Sequence, residues 1–445
     1  MTRERYVLLG LAQVGSAWFR ATGRWSTDGT LPVELVKTVS VEEVRSRLRS
    51  GRAFSALLVD DAVPGLERDL FDLAAASGCA VVVVDAGRTS RSWVELGAAA
   101  TLPPAFDAHA LLQVLGQVAR PIGAEGGVVA ERLDPTSAPV DDEPPGRLVA
   151  VTGAGGTGAS TVGMALAQHA AQHHDAGAVL LADLALRADQ ALLHGTPDVV
   201  PGVQELAEAH RLGTPDAASV RSLTWQIATR GYDLLLGLRR PRDWTSLRPA
   251  TVRATVASLR RTYALTVADV DADLDGERET GSLDVEERSA LARTTVAAAD
   301  LVVVVGDPHL KGVHSLLRVV HDVLDHGVEP ARLLPLVNRA PRSPRARAEV
   351  ARALAALGRG RAARAGTGAE RAGPPGPVFL GERRHLDLTL RDVARLPEAW
   401  LRPVGTAVLE LLARTAGPTA ATGTEPVLLP AGSLGAWTDE GPPGD

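Results

Sequence analysis

The stretch VAVTGAGGTGAST occupies residues 149–161 and joins three kinds of local sequence. Residues 147–152 are mostly apolar and β-branched, which predicts a buried strand. Four glycines follow within six residues, and the alanine-rich run 160–172 then predicts a helix. The sequence therefore predicts a strand, a tight glycine loop and a helix in direct succession.

The spacing within this loop is that of a phosphate-binding loop, since Gly153 to Ser160 match G-x-x-x-x-G-x-[ST]. Glycines let successive backbone N–H groups converge on an anion, and the helix start adds free N–H groups and a positive dipole end. Ala159 stands where a lysine normally reaches the phosphates. The candidate nucleotide-binding residues are Gly153, Gly155, Gly156, Thr157, Gly158, Ser160 and Thr161. A glycine-rich turn without a phosphate role is the alternative.

Length and composition limit the classes to which the protein can belong. The chain has 445 residues, 45% of them apolar and 3% aromatic, and a formal net charge of −6. Its length suggests two domains with linkers. The single cysteine, Cys79, excludes an internal disulfide framework and C-x-x-C metal sites, which fits a reducing cytoplasm. No apolar run reaches the roughly 18 residues of a membrane span, so we expect a soluble, cytoplasmic protein.

Residues 1–120 alternate strand and helix patterns. Apolar runs of strand length occur at 6–10, 33–39, 54–60 and 80–85, with a short fifth strand within 97–106. Helical stretches at 41–49 and 66–77 separate some of these runs, and Asp107 is a candidate N-cap of a final helix. Five such units predict an α/β domain of the flavodoxin-like type.

Two segments lack this patterning. Residues 121–146 are rich in glycine, proline and acids, which predicts an extended, solvated linker. Residues 416–445 are rich in glycine, proline and threonine, which predicts a disordered tail. The prolines and acids of this tail exclude a basic amphipathic membrane helix, so we do not expect direct membrane insertion. The predicted domains are therefore 1–120 and 147–415.

The N-terminal half resembles a response-regulator receiver domain. Asp60 begins the D-x-x-x-P-G spacing that ends at Gly65, after the third predicted strand. A receiver also needs an acidic pair after its first strand to hold Mg²⁺, and residues 9–13 contain no carboxylate. Pro103 stands at the position of the expected lysine, and Asp85 at that of a threonine or serine. We therefore expect a pseudo-receiver, in which Asp60 is a turn residue and not a phosphoacceptor.

The glycine loop resembles the deviant Walker A motif of the MinD/ParA family of P-loop ATPases, K-G-G-x-G-K-[ST]. Both lysines of that motif are replaced, by Ala154 and Ala159. The resemblance implies a domain with a mainly parallel sheet that binds ATP and Mg²⁺, with Ser160 as one Mg²⁺ ligand. The lost lysines imply weak binding and little or no hydrolysis.

Two acids follow predicted strands in the order that this family shows. Asp183 resembles the first acid of the D-x-D-x-x-x-x-D segment in the CpaE branch, and Ala185 replaces the second acid. Asp183 is therefore either a catalytic or Mg²⁺-linked residue or a structural strand end. Asp269 corresponds to the Walker B carboxylate, which holds Mg²⁺ through water.

Asn338 ends the next predicted strand of the signature, at the position where relatives read adenine. An amide offers both the donor and the acceptor that the adenine edge requires. The same side chain could instead cap a turn. Both roles remain open at this stage.

The resemblance covers essentially the whole chain, since CpaE-like proteins, including the actinobacterial septum-site-determining group, join a receiver-like domain to a MinD-type domain. It implies a regulatory role in septum-site determination and cell division, or in positioning a Tad-type pilus or secretion apparatus. Protein partners of that apparatus, a homodimer and recruitment to the membrane or septum are implied with it. One alternative is an active MinD-type ATPase whose phosphate-binding cation is Arg187 or Lys311.

A second alternative is a ParA-like partition protein that binds DNA. Residues 339–371 carry nine arginines and two glutamates, and a clustered basic surface can bind polyanions. No aromatic residue is interleaved for base stacking, so we favour a solvated helix face over a DNA site.

Overall fold

The computed structural model describes residues 5–89, 91–122, 145–173, 177–364 and 375–414, without the side chains of 354 and 357–364. Two separate sheets organise these residues. The predicted linker 121–146 and tail 416–445 lie almost wholly outside the described residues. We therefore retain the division into domains 1–120 and 147–415 as a proposal.

The first sheet has five parallel strands in the order β2-β1-β3-β4-β5. They are Tyr6–Leu11 (β1), Val33–Thr38 (β2), Ala56–Asp60 (β3), Ala80–Val84 (β4) and Ala100–Leu102 (β5). The helices are Ala17–Thr27 (α1), Val41–Arg49 (α2), Arg68–Ala76 (α3), Trp93–Leu96 (α4) and Ala108–Val118 (α5). This is the flavodoxin-like order, which confirms the predicted fold. Asp107 caps α5 as predicted, because its Oδ1 accepts from the N–H of Ala110 at 2.8 Å.

The second sheet has eight strands in the order β13-β12-β11-β6-β10-β7-β9-β8. They are Arg147–Gly153 (β6), Val179–Asp183 (β7), Trp225–Ile227 (β8), Tyr232–Leu235 (β9), Leu265–Asp269 (β10), Leu301–Gly306 (β11), Leu333–Ala340 (β12) and Val378–Gly381 (β13). All pairings are parallel except that of β8 with β9. The predicted mainly parallel sheet is therefore confirmed.

Helices cover both faces of this sheet. They are Ala159–His173 (α6), Gln190–His194 (α7), Val203–Leu212 (α8), Ala217–Ser222 (α9), Pro249–Thr262 (α10), Glu277–Thr280 (α11), Leu283–Arg288 (α12), Ala290–Ala298 (α13), Leu310–Asp325 (α14), Pro344–Arg364 (α15), Leu386–Arg391 (α16) and Glu398–Arg414 (α17). Two short 3₁₀ helices, Pro241–Ser246 and Pro330–Arg332, complete the set. Strands β7, β10 and β11 are buried along their whole length, as unbroken apolar runs in a covered parallel sheet must be.

Helix α6 is the central helix of one layer. Every residue from Val162 to Ala170 is buried, because α6 lies between the sheet and α17. Its alanines allow this close packing, since a small side chain lets neighbouring backbones approach. The loop before α6 is therefore held by a helix that is itself fixed on several sides.

The two halves of the chain contact each other through α3, which packs against α8 and α10. The Arg68 guanidinium donates to the carbonyl oxygens of His210 and Gly213, both at 3.0 Å. Arg211 pairs with Glu67 across the same contact. Polar interactions of this kind are typical of contacts between domains within one chain.

Candidate phosphate-binding site

The glycine loop joins β6 to α6 at the carboxyl edge of the second sheet. A Cβ on Gly153 would lie 2.4 Å from the carbonyl oxygen of Val305, so only glycine fits there. Gly156 and Gly158 have φ of +83° and +90°, which glycine adopts without steric strain. Because α6 begins at Ala159, the N–H groups of its first turn have no helical partner and are available to an anion.

Asn338, two residues before the end of β12, braces this loop. Its Nδ2 donates to the carbonyl oxygen of Thr157 at 2.8 Å, and its Oδ1 accepts from the N–H of Arg339 at 2.8 Å. A Cβ on Gly158 would lie 2.5 Å from the same Nδ2. Both polar atoms of the Asn338 amide therefore serve the protein itself, and adenine recognition by this side chain stays a prediction.

Arg339 is a cation at the loop that the sequence did not single out. Its Nη1 donates to the carbonyl oxygen of Gly156 at 3.0 Å, and its backbone has an unusual positive φ of 50°. The candidates from the sequence lie elsewhere: Arg187 lines a small cleft with Asp271, and Lys311 is exposed in the first turn of α14. Within the described residues, no hydrogen bond joins either of them to the loop. Arg339 therefore braces the loop from β12, as Asn338 does.

Beneath the loop, the carboxyl ends of β7 and β10 bring together a buried polar cluster. Asp183 and Asp269 are register partners in adjacent strands and are 0% and 4% exposed. Gln190, at the start of α7, donates its Nε2 to Asp269 Oδ2 at 2.8 Å and to the carbonyl oxygen of Ser160 at 3.2 Å. Its backbone N–H donates to Asp183 Oδ2 at 2.9 Å.

The electrostatics of this cluster favour a cation. Burial raises the pKa of Asp269 to about 6. Burial, and secondarily repulsion by Asp269, also raises the pKa of Asp183 well above its usual range. Gln190 is fully buried, and its Oε1 has no hydrogen-bond partner among the described residues.

Hydroxyl, amide and carboxylate oxygens are the ligands that Mg²⁺ prefers. The residues present therefore fit the predicted Mg²⁺ ligands, Ser160 and Asp269. Gln190 was not predicted from the sequence. The segment after Asp183 gave no sequence signal that the Gln190 side chain would reach the loop.

The receiver-like half has a buried acidic pair of its own, Asp60 and Asp61, after β3. Asp60 Oδ1 accepts from the N–H of Ala62 at 3.1 Å, as expected for a turn residue. Arg88 Nη1 lies 3.5 Å from Asp60 Oδ1 and 3.7 Å from Asp61 Oδ1. Gln13 lies two residues after β1, and its Nε2 donates to the carbonyl oxygen of Ala62 at 3.0 Å. The Arg88 guanidinium thus lies beside Asp60 and Asp61, in the place where a site that accepts phosphate would need Mg²⁺.

We expect no phosphorylation of Asp60 by small phosphodonors. Arg88 neutralises the pocket and Gln13 supplies no carboxylate, so Mg²⁺ has too few anionic ligands. Intact-mass measurement after incubation with acetyl phosphate checks this, with Asp60→Asn as the control. A stoichiometric adduct that disappears in Asp60→Asn would show a functional receiver.

Some arginines of the basic segment 339–371 interact with other residues of the protein. Arg345 pairs with Glu349 at 3.4 Å, and Arg347 lies over the Phe379 ring at 5.4 Å while donating to the carbonyl oxygen of Pro341. The side chains of 357–364 and residues 365–371 lie outside the described part of the chain. A DNA-binding role for this segment stays an untested alternative.

Comparisons with known proteins add a likeness of fold. A scan against protein-family models and a search of curated proteins both find no match. Similar solved structures include a ParA-family ATPase from Chlorobium tepidum TLS, with 15% identity over 60% of this chain and 96% of that one, at a TM-score of 0.43.

The cell division ATPase MinD from Pyrococcus furiosus has 15% identity over 60% and 99% of the two chains, at a TM-score of 0.43. MinD from Pyrococcus horikoshii, complexed with Mg-ADP, has 17% identity over 61% and 98%, at a TM-score of 0.42. At these identities and TM-scores we draw no functional conclusion from the likeness. Among the described helices, none has the length and apolar content needed to cross a membrane.

Proposed function

We propose that this chain is a MinD/CpaE-like regulatory protein that binds a nucleoside triphosphate with Mg²⁺ and turns it over weakly or not at all. The observation that supports this most strongly is the braced glycine loop, without a lysine, directly above a buried cluster of oxygen ligands. A loop that served only as a turn would not need two buried carboxylates beside it, nor Gln190 Oε1, which has no hydrogen-bond partner among the described residues. The arrangement therefore favours binding over chemistry.

Each part of the site has a distinct task in this proposal. Backbone N–H groups of the loop and the start of α6 hold phosphate oxygens. Mg²⁺ supplies charge neutralisation when bound, with Ser160 and Asp269 as its candidate ligands. Gln190 fixes the Asp269 carboxylate toward Ser160. Asn338 and Arg339 hold the loop from β12.

The absence of both lysines also affects how the protein would act in the cell. Ala154 stands where relatives place a lysine that reaches across a nucleotide-bound dimer, so ATP-driven dimerisation should be weak. We propose that partner proteins of a division septum or of a pilus or secretion apparatus recognise the nucleotide-bound chain. Deleting the gene and restoring it with or without Ser160→Ala tests this role. Misplaced septa or lost pili, restored by the natural gene alone, would support it, and no change in either would contradict it.

We expect Arg339→Ala to weaken Mg-ATP binding by about tenfold or more, because the loop loses its bond from the Arg339 guanidinium to the carbonyl oxygen of Gly156, and a hydrogen bond from a charged donor typically contributes roughly 1.5–3 kcal/mol. Arg339→Lys, which keeps the charge, should lose less. Fluorescence titration with a labelled ATP analogue measures the effect, and Arg342→Ala, at an exposed arginine three residues on, is the matched control. Equal losses in Arg339→Ala and Arg342→Ala would contradict a specific role for Arg339.

If the basic segment 339–371 bound DNA, its affinity would depend on salt. Binding by phosphate neutralisation would fall steeply as salt rises. We expect weak or no binding of duplex DNA at physiological salt. Salt-sensitive micromolar binding that is lost on replacing Arg359, Arg361 and Arg364 would favour the partition role instead.

A further inference from the structure

A second cluster of ligating side chains lies at the opposite end of α6 from the glycine loop. His169 and His173 lie one helical turn apart near the C-terminal end of α6, and Glu398 is the first residue of α17. His169 Nδ1 and His173 Nε2 lie 3.5 and 3.8 Å from Glu398 Oε1. The three ligand atoms all fall within 4.8 Å of one another, the one such group of three or more among the described residues.

The polar atoms of this cluster lack ordinary partners. His169 is 3% exposed, and neither its Nδ1 nor Glu398 Oε1 has a hydrogen-bond partner among the described residues. Burial, with a further contribution from His173, lowers the pKa of His169, which favours the neutral ring. Two electron-rich atoms that face each other in a buried place are costly unless a proton or a cation lies between them.

The tautomer of His173 suits a cation. Its Nδ1 lies 3.0 Å from the carbonyl oxygen of His169, an acceptor only, so Nδ1 carries the proton. The lone pair of the neutral ring is then on Nε2, which faces Glu398. Metal-binding histidines typically donate their other nitrogen to a carbonyl or carboxylate in this way.

The carboxylate is also positioned by neighbours. With its amide turned to satisfy both contacts, Gln172 donates to Glu398 Oε2 at 3.1 Å and accepts from Arg395 at 3.0 Å. This leaves Oε1 as the oxygen directed at the two histidines. Arg402 Nε lies 3.8 Å from Oε1, but its side chain is 70% exposed and free to move into solvent.

Close packing of the two helices holds the cluster together. A Cβ on Gly405 would lie 2.1 Å from the His169 ring, so α17 can approach α6 only with glycine there. Glu398 lies two turns before Gly405 on the same helix, which brings its carboxylate over the end of α6.

We propose that His169 Nδ1, His173 Nε2 and Glu398 Oε1 bind a divalent transition-metal ion, with Zn²⁺ as the best fit. Bonds of about 2.0–2.1 Å at tetrahedral angles place ligand atoms roughly 3.3–3.5 Å apart, near the separations of 3.5 and 3.8 Å to Glu398 Oε1. The two imidazole rings are stacked, with centroids 4.2 Å apart and an interplanar angle of 19°, so one ring rotates on binding to direct its lone pair at the ion. His173 and Glu398 are partly exposed, so a water molecule can complete the coordination. The ion would fasten α17 to α6. This site is independent of the proposed nucleotide function.

The test uses untagged full-length protein freed of metal by a chelator. Competition for Zn²⁺ against a chromophoric chelator should give one ion per chain. His173→Ala and Glu398→Gln, both at partly exposed positions, should each weaken binding by at least about tenfold. Co²⁺ loaded in place of Zn²⁺ should give visible absorption of a tetrahedral N/O site that both variants lose.

His321→Ala is the matched control, because His321 and Asp325 form another i, i+4 histidine–carboxylate pair on α14. Its Zn²⁺ affinity should equal that of the natural protein. Zn²⁺ should also raise the thermal unfolding midpoint of the natural protein and of His321→Ala, but not of the other two variants. No bound ion at about 100 μM Zn²⁺, or equal affinity in all four proteins, would overturn the proposal.

Discussion

Purified protein is expected to release phosphate from ATP at least about 100-fold more slowly than an Ala154→Lys/Ala159→Lys variant. The transferring phosphoryl group needs cations aimed at its oxygens, and one such electrostatic group typically contributes about 10²–10³-fold in rate. Ala154 and Ala159 carry no charge, and Arg339 is held by the carbonyl oxygen of Gly156.

Steady-state phosphate release under matched Mg²⁺ and ATP concentrations measures this difference. Ser160→Ala added to the double variant is the control, because removal of the hydroxyl should abolish the gained activity. Ala185→Asp, which supplies a second acid after β7, should raise the rate further. If the natural protein instead hydrolyses ATP as fast as the double variant, and Ser160→Ala and Asp269→Ala are both inactive, the ATPase alternative is correct.

Asp269→Asn, which neutralises one of the two buried acids, is expected to stabilise the protein at neutral pH. The pKa of Asp269 is raised to about 6 in the folded state from the ordinary value of 3.8, mainly by burial. Between these two values the folded state binds more protons than the unfolded state, so the free energy of unfolding falls as pH rises from about 4 to 6. A shift of about two units corresponds to roughly 3 kcal/mol. The raised pKa of Asp183 acts in the same direction.

Urea unfolding of the natural protein and of Asp269→Asn at pH 4 and pH 7 checks the prediction. The two should be of similar stability at pH 4, whereas Asp269→Asn should be more stable at pH 7. Mg²⁺ at millimolar concentration should stabilise the natural protein at pH 7 and leave Asp269→Asn unchanged. An exposed acid, Asp284→Asn, is the control. A stability difference that does not vary with pH would contradict the assignment of Asp269 as a buried acid with a raised pKa.

The fold was largely predictable because its signals are local. Unbroken apolar runs such as 301–305 require a strand covered on both faces, and the glycine spacing from 153 to 158 requires a tight turn before a helix. Acids at the ends of two such runs, Asp183 and Asp269, necessarily meet when the strands are parallel neighbours. The carboxyl edge of the sheet as a binding site follows from the same topology.

The rest of the candidate site depends on contacts between distant parts of the chain. Nothing near Arg339 in the sequence indicates that its guanidinium reaches Gly156, and Gln190 reaches Ser160 only because α7 folds back over the loop. The sequence left Asn338 as either an adenine-binding residue or a turn cap, whereas its contact with Thr157 emerges only from the packing of β12 beside the loop. His169 and Glu398 likewise meet through the packing of α17 on α6.

We expect the lysine-free loop to bind nucleotide. Calorimetric titration of the purified protein with Mg-ATP tests it most directly, with recovered nucleotide analysed afterwards. We predict saturable binding at one site per chain, weaker without Mg²⁺ and in Ser160→Ala and Asp269→Ala, with the ATP recovered intact. Absence of saturable binding at millimolar Mg-ATP, or binding that Ser160→Ala and Asp269→Ala leave unchanged, would contradict the claim.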